Sequence, residues 1–105
     1  MSVDKMLISY VQIHRGIEKA WDVRIVGYYA HNTKATLKFS FKHDELERFL
    51  DILLSTCQAE SIGDCFGRTL PLLINDEMGI PDIMETLDWW TQTFNIRKAV
   101  LNDIN

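Results

Sequence analysis

The residue types best suited to chemistry in this chain are its two cysteines and three histidines. His43, Cys57 and Cys65 come closest to a metal-binding spacing, but they lack the CxxC or HxxxH pairs of a zinc site and have no fourth ligand nearby. Asp64 and Cys65, with a distant histidine, suit a thiol nucleophile, yet almost any chain with cysteine and histidine offers as much. We therefore expect two reduced core thiols, no disulfide and no metal ion.

Motifs that bind phosphate or activate a nucleophile do not occur in the sequence. Gly63, Gly67 and Gly79 fit neither GxGxxG nor GxxxxGK[ST], and there is no GxSxG or HExxH. His14 and His31 stand at a predicted strand end and a predicted turn, where histidine is commonly exposed. The sequence therefore predicts a protein that is not an enzyme and carries no cofactor. A small enzyme with an unrecognised site is one alternative.

Length and composition indicate one ordered domain spanning residues 1–105. Hydrophobic residues make up 47% of the chain and charged residues 25%, which is the ordinary balance of a globular protein. The longest apolar runs are far shorter than the roughly 20 residues that span a bilayer, and the N-terminus lacks the apolar core of a signal peptide. We expect a cytoplasmic protein without a membrane partner.

The net charge of −4 conceals an uneven distribution. Residues 1–43 contain seven Lys or Arg and three Asp or Glu, a net charge of +4. Residues 44–105 contain four and twelve, a net charge of −8. A chain that is basic at its start and acidic afterwards has a charge asymmetry that bears on its choice of partners.

Three segments, residues 5–13, 22–30 and 33–42, have the alternation and the β-branched and aromatic content of strands. The dry face of the third comprises Thr33, Ala35, Leu37, Phe39 and Phe41. His31-Asn32 between the last two segments suits a tight turn, because asparagine tolerates the left-handed conformation. The sequence predicts an α+β fold that starts with a three-stranded antiparallel meander over residues ~5–42.

Residues 44–58 are predicted to form a helix across this sheet, with Asp44 as N-cap and Glu47 completing a capping box. The helix stripe comprises Leu46, Phe49, Leu50, Leu53, Leu54 and Cys57. Residues 69–78 read as a short helix ending at Gly79, with a strand hidden in 61–74 as the competing interpretation.

A further helix is predicted from Asp82 to Phe94, and residues 95–104 either prolong it or form a last helix. We thus expect a C-terminal layer of two or three short helices over residues ~69–104.

The stretch LDWWTQTF, residues 87–94, places two tryptophans side by side on this helix. The apolar stripe of the helix comprises Ile83, Leu87, Trp90 and Phe94. Trp90 therefore belongs to the core, whereas Trp89 lies about 130° away and cannot face it. Trp89 either packs against the C-terminal segment or residues 61–79, or anchors a partner, since tryptophan is favoured at interface hot spots.

Acidic residues surround Trp89 in the sequence, at Asp82, Glu85 and Asp88. An exposed aromatic ring rimmed by carboxylates suits a basic protein surface and repels nucleic acid. We therefore expect Trp89, Glu85, Asp88 and Asp82 to bind another protein. The function that we expect is that of a small acidic inhibitor, immunity, anti-defence or adaptor protein that masks a basic surface of its target.

A basic strand face is the second unusual surface. Lys34, Lys38 and Lys42 share the polar face of the third strand, with Arg24 and Tyr28 beside them on the second. Cations and an aromatic ring are the minimum for a single-stranded nucleic-acid platform, which is the alternative function, although the acidic net charge opposes it. The two surfaces also suit a homodimer in which the basic sheet of one copy meets the acidic helices of the other.

Overall fold

The structure, a computed structural model, describes residues 2–30 and 32–104, without the side chains of residues 94–104. Over these residues it is an α+β fold with a five-stranded antiparallel sheet and two α-helices. In chain order the elements are β1 (Ser2–Arg15), β2 (Trp21–Tyr29), β3 (Thr33–Phe41), α1 (His43–Cys57), β4 (Thr69–Asn75), β5 (Ile80–Pro81) and α2 (Ile83–Ile104). The strand order is β3-β2-β1-β4-β5, so β1 is central.

The three strands predicted in the first 42 residues are present, close to their predicted bounds. β1 pairs with β2, and β2 pairs with β3, both antiparallel. Asn32 adopts the predicted left-handed conformation, with a φ of 60°, while His31 lies outside the described residues. These three strands are consecutive and antiparallel, but they are only part of a five-stranded sheet, so the predicted meander does not describe the whole sheet.

The prediction of a helix over residues 69–78 is wrong, because most of this segment forms β4. Its buried side chains, at every second position, are Leu70, Leu72 and Ile74. β4 pairs with β1 from Ser2–Ile74 to Leu7–Thr69, so this ladder uses the first half of β1 and overlaps the β2 ladder at Leu7. The competing interpretation of a strand hidden in 61–74 is the one that the structure contains.

Helix α1 packs on the inner face of the sheet through an aromatic cluster. The ring centroid of Phe49 lies 5.0 Å from that of Phe39 and 4.7 Å from that of Phe41. The predicted N-cap at Asp44 with Glu47 is wrong, because the helix begins at His43 and the Lys42 backbone N–H donates to Oε1 of Glu45 at 3.1 Å.

Helix α2 is one continuous helix, so the predicted layer of two or three short helices is wrong. Asp82, the residue before α2, acts as its N-cap, because its Oδ1 accepts a hydrogen bond from the Glu85 backbone N–H at 3.1 Å. Residues 95–104 prolong the helix. No helix in the described ranges is long and apolar enough to cross a membrane.

Helix α2 lies along the edge of β4 that faces away from β1. β5 covers this edge only at Ile74 and Asn75. Further along, the Thr86 hydroxyl accepts a hydrogen bond from the Leu73 N–H at 3.1 Å, and Nε1 of Trp90 donates to the Pro71 carbonyl at 2.8 Å. Thr86 and Trp90 are both fully buried. Two side chains thus supply hydrogen bonds that a neighbouring strand would otherwise make.

Gly27 allows β1 and β2 to approach at a β-bulge. The pairing register shifts between Ile8 and Tyr10, which leaves Ser9 as the extra residue. A Cβ placed on Gly27 would lie 2.2 Å from the Leu7 carbonyl oxygen and 2.9 Å from Cγ of Met6. Only glycine therefore fits opposite this bulge without a shift of the backbone.

We expect Gly27→Ala to lower the free energy of unfolding by about 3 kcal/mol, the upper end of the usual range for an overpacked core. Urea unfolding followed by circular dichroism measures this. Gly63→Ala is the matched control, because a Cβ there meets nothing within 4 Å. Equal stability of the two variants would contradict the close approach of β1 to Gly27.

We expect Thr86→Val to lower the free energy of unfolding by about 1–3 kcal/mol, because it leaves the buried Leu73 N–H without its acceptor at nearly constant volume. Faster hydrogen exchange at the Leu73 amide is the local readout. Thr56→Val serves as the control, since the Thr56 hydroxyl only donates to the Ile52 carbonyl of its own helix. An unchanged Leu73 exchange rate would show that α2 does not protect the β4 edge.

Candidate functional site

Trp89 is half-buried and packs against the edge of the hydrophobic core, so the expectation that it cannot face the core holds only in part. The bonds of Thr86 and Trp90 to β4 fix the rotation of α2 about its axis, and one residue corresponds to about 100° of turn. With this rotation, Trp90 points into the core and the neighbouring Trp89 lies beyond the free edge of β4. It lines an open groove of about 410 Å³, whose other lining residues are Val3, Leu73, Glu85, Asp88 and Gln92. We call these six residues the acidic groove.

The acidic groove combines an apolar floor with a negative rim. Trp89 and Leu73 are half-buried and Val3 is exposed, so a ligand would contact apolar surface. Glu85 and Asp88 are exposed, and neither has a salt bridge to a described residue. Such a groove attracts a cationic group that is attached to an apolar one.

The structure brings together three of the four residues predicted for the acidic surface. Trp89, Glu85 and Asp88 share the groove. Asp82 does not, because its carboxylate caps α2 and it lines a separate depression with Met78 and Met84. The sequence did not predict the other three lining residues, Val3, Leu73 and Gln92. An exposed valine at the start of a strand does not indicate which distant residues it lies beside in the fold.

The face of the sheet that points away from α1 carries the predicted basic residues; we call it the outer face. Cross-strand pairs place Lys34 beside Tyr28 and Lys38 beside Arg24. Lys42 is separate from this face, since it follows the end of β3 at the start of α1. Lys5 adds a further cation, opposite Pro71.

The centre of the outer face is apolar and open to solvent. Leu7, Tyr10 and Tyr28 are 51%, 46% and 41% exposed. Leu7 is the cross-strand partner of Tyr28, and Tyr10 is that of Val26. Val26, on the same face, is only 3% exposed. Leu7 and Tyr10 were not predicted as surface residues, because the bulge at Ser9 reverses the alternation along β1.

The far end of the outer face is polar. His14 and Asp22 are cross-strand partners, with Nε2 of His14 3.8 Å from Oδ2 of Asp22. They line a depression of about 320 Å³ together with Arg24, Lys38 and Ser40. Nε of Arg24 is buried without a hydrogen-bond partner among the described residues. This end of the face is therefore positive, with an unpaired guanidinium donor.

Cys57 and Cys65 form a buried thiol pair. Their sulfur atoms are 3.9 Å apart, and Sγ of Cys65 also lies 3.5 Å from the Ser61 carbonyl oxygen. Burial is the main reason that the pKa of Cys65 rises to about 12, and the neighbouring Cys57 raises it further. Cys65 is therefore protonated at neutral pH and a poor nucleophile.

Asp64, next to Cys65, is engaged elsewhere. Its Oδ2 accepts hydrogen bonds from Arg68 at 3.2 Å and from the Glu60 backbone N–H at 3.1 Å. His43 contacts Trp21, with ring centroids 6.3 Å apart. Over the residues that the structure describes, no group of three or more His, Cys, Asp or Glu side chains is arranged to hold a metal ion.

Comparison with protein-family models, with curated proteins and with solved structures finds no match to this chain.

The raised pKa of Cys65 predicts a loss of stability at high pH. The pKa is about 12 in the folded protein and ordinarily 9.0, so the unfolded chain releases this proton first as the pH rises. The free energy of unfolding should fall from about pH 9 upward, and Cys65→Ala should reduce the slope of that fall. Urea unfolding between about pH 8 and pH 10.5 measures both slopes. Parallel slopes for the two proteins would contradict the shift.

Proposed function

We propose that this protein is a non-enzymatic protein-binding module that masks a basic surface of its target through the acidic groove. The observation that carries the proposal is the meeting of Trp89, Glu85 and Asp88 with Val3 and Leu73 in one open groove. An inhibitor, immunity, anti-defence or adaptor protein would work by such masking.

The apolar floor supports a protein partner. Half-buried tryptophan is favoured at interface hot spots, because it offers a large rigid surface at a small cost in conformational entropy. Trp89 packs against the core on one side and lines the groove on the other. The ring is therefore held in place before a partner arrives, which lowers the entropic cost of binding.

The negative charge at the rim of the acidic groove determines which kind of partner binds. Glu85 and Asp88 are one turn apart on α2 and exposed, so they attract lysine or arginine and repel phosphate. The net charge of −8 over residues 44–105 extends this field and speeds the encounter with a basic protein. A basic side chain flanked by apolar residues is the ligand that the groove suits best.

Selection from a library of random displayed peptides tests the proposal without a known target. We expect enriched peptides to carry Lys or Arg next to an apolar residue. Their affinity, measured by fluorescence anisotropy, should fall by about tenfold or more in Glu85→Gln/Asp88→Asn and by about 30-fold in Trp89→Ala, which corresponds to roughly 2 kcal/mol for a hot-spot tryptophan.

Glu47→Gln/Asp51→Asn is the matched control, because it removes the same two charges from exposed positions of α1. We expect it to bind the selected peptides as tightly as the wild type. Peptides without basic residues, or equal affinity for Trp89→Ala and the wild type, would refute the assignment of the groove.

A further inference from the structure

The acidic groove and the outer face form one continuous surface. Val3 and Leu73 are cross-strand partners on the outer face, and both line the groove. Along β1 the same face continues through Lys5 and Leu7 to Tyr10. A partner that fills the groove is therefore next to the exposed apolar centre of the sheet.

Opposite charges lie on opposite sides of this surface. β1 is the central strand, with β2 and β3 on one side and β4 and α2 on the other. The carboxylates Glu85 and Asp88 stand on α2, whereas Lys34 and Lys38 stand on β3. All four are exposed, and none has a salt bridge to a described residue. Each side lacks the counter-charge that the other side carries.

We propose that a second copy of this chain is a partner of this surface, and that the two copies form a twofold-symmetric dimer. This inference rests on the proposed function, because it assigns a partner to the same groove. The twofold axis lies in the interface and crosses β1 diagonally near Leu7. It places α2 of each copy against β3 of the other, so both pairs of opposite charges are satisfied.

The apolar centre fits this arrangement. Leu7 lies close to the axis and packs near its own symmetry mate, while Tyr28 of each copy falls toward Val3 and Leu73 of the other. Their side chains are exposed in the single chain and become buried in the dimer. A diagonal axis makes the strands of the two sheets cross at close to 90°, which is one of the two preferred angles for packed sheets.

The positions of the charged elements and the area of the outer face are compatible with a weak dimer. With about 4.8 Å between paired strands, β3 lies roughly 10 Å from β1, and α2 lies on the opposite side of β1 beyond β4. The outer face measures about 25 by 20 Å, which gives about 1,000 Å² for the two copies together, the size of a weak or transient interface. A dimer of this size is expected to dissociate on dilution.

Charge favours a second copy over single-stranded nucleic acid. A single-stranded nucleic acid that ran along Tyr10 and Tyr28 would bring its phosphates toward the carboxylates of the acidic groove, which repel them. The second copy instead presents cations to the groove and carboxylates to Lys34 and Lys38. In the dimer both grooves are filled, so a basic target must displace one copy from the other.

Light scattering over a dilution series at low salt tests the dimer. We expect the wild type to be a dimer that dissociates in about 1 M salt, because screening weakens exposed ion pairs. Lys34→Glu/Lys38→Glu and Glu85→Lys/Asp88→Lys should each raise the dimer Kd by about tenfold or more. An equimolar mixture of these two variants should form a heterodimer, because each groove then meets the opposite charge again.

Two further variants keep the test independent of folding. Leu7→Asp places a charge at the centre of the interface on an exposed position and should give a monomer with an unchanged circular dichroism spectrum. Glu47→Lys/Asp51→Lys reverses two exposed charges on α1 and should leave the dimer intact.

A wild type that stays monomeric at about millimolar concentration, where an interface of this size should associate, would overturn the dimer. So would a dimer that survives all three interface variants. A monomeric wild type that binds oligo-dT, with the affinity lost in Lys34→Glu/Lys38→Glu, would assign the face to nucleic acid instead. The peptide selection repeated on Leu7→Asp separates the two proposals, because an open groove in a monomer binds peptides whether or not the wild type dimerises.

Discussion

The attachment of α2 to the free edge of β4 determines most of what is distinctive in this molecule. Thr86 and Trp90 give the Leu73 N–H and the Pro71 carbonyl the partners that a longer β5 would have supplied. These two bonds also fix the rotation of α2. Trp90 enters the core for that reason, and Trp89, the next residue, is turned toward the outer face.

One helix therefore serves two purposes. Its buried side completes the sheet, and its other side supplies the ring and the carboxylates of the acidic groove. The cap at Asp82 belongs to the first purpose, although its charge suggested the second. The acidic sequence around the two tryptophans thus divides into a structural carboxylate, Asp82, and two exposed carboxylates, Glu85 and Asp88.

The two proposals describe one surface with two occupants. The acidic groove suits a basic target, and the basic outer face beside it gives a second copy the means to occupy the same groove. In the proposed dimer, Leu7, Tyr10 and Tyr28 would be shielded from nonspecific contacts until a target binds. The relative concentrations of the chain and its target then determine which complex forms.

The sequence by itself determined the alternation of β2 and β3, most of the stripe of α1, the deeper burial of Trp90 than of Trp89, and the unequal charge of the two parts of the chain. The stripe missed Ile52, which is buried. The alternation, the stripe and the unequal burial of the tryptophans follow from the geometry of one strand or one helix, and the charge distribution follows from composition. The tertiary structure alone decided that residues 69–75 form a strand, since a leucine-rich segment of that length suits either state and only the ladder with β1 selects one. It also decided that Val3, Leu73 and Trp89 meet in one groove, because their proximity comes from strand pairing and helix docking between distant parts of the chain, which no local pattern records.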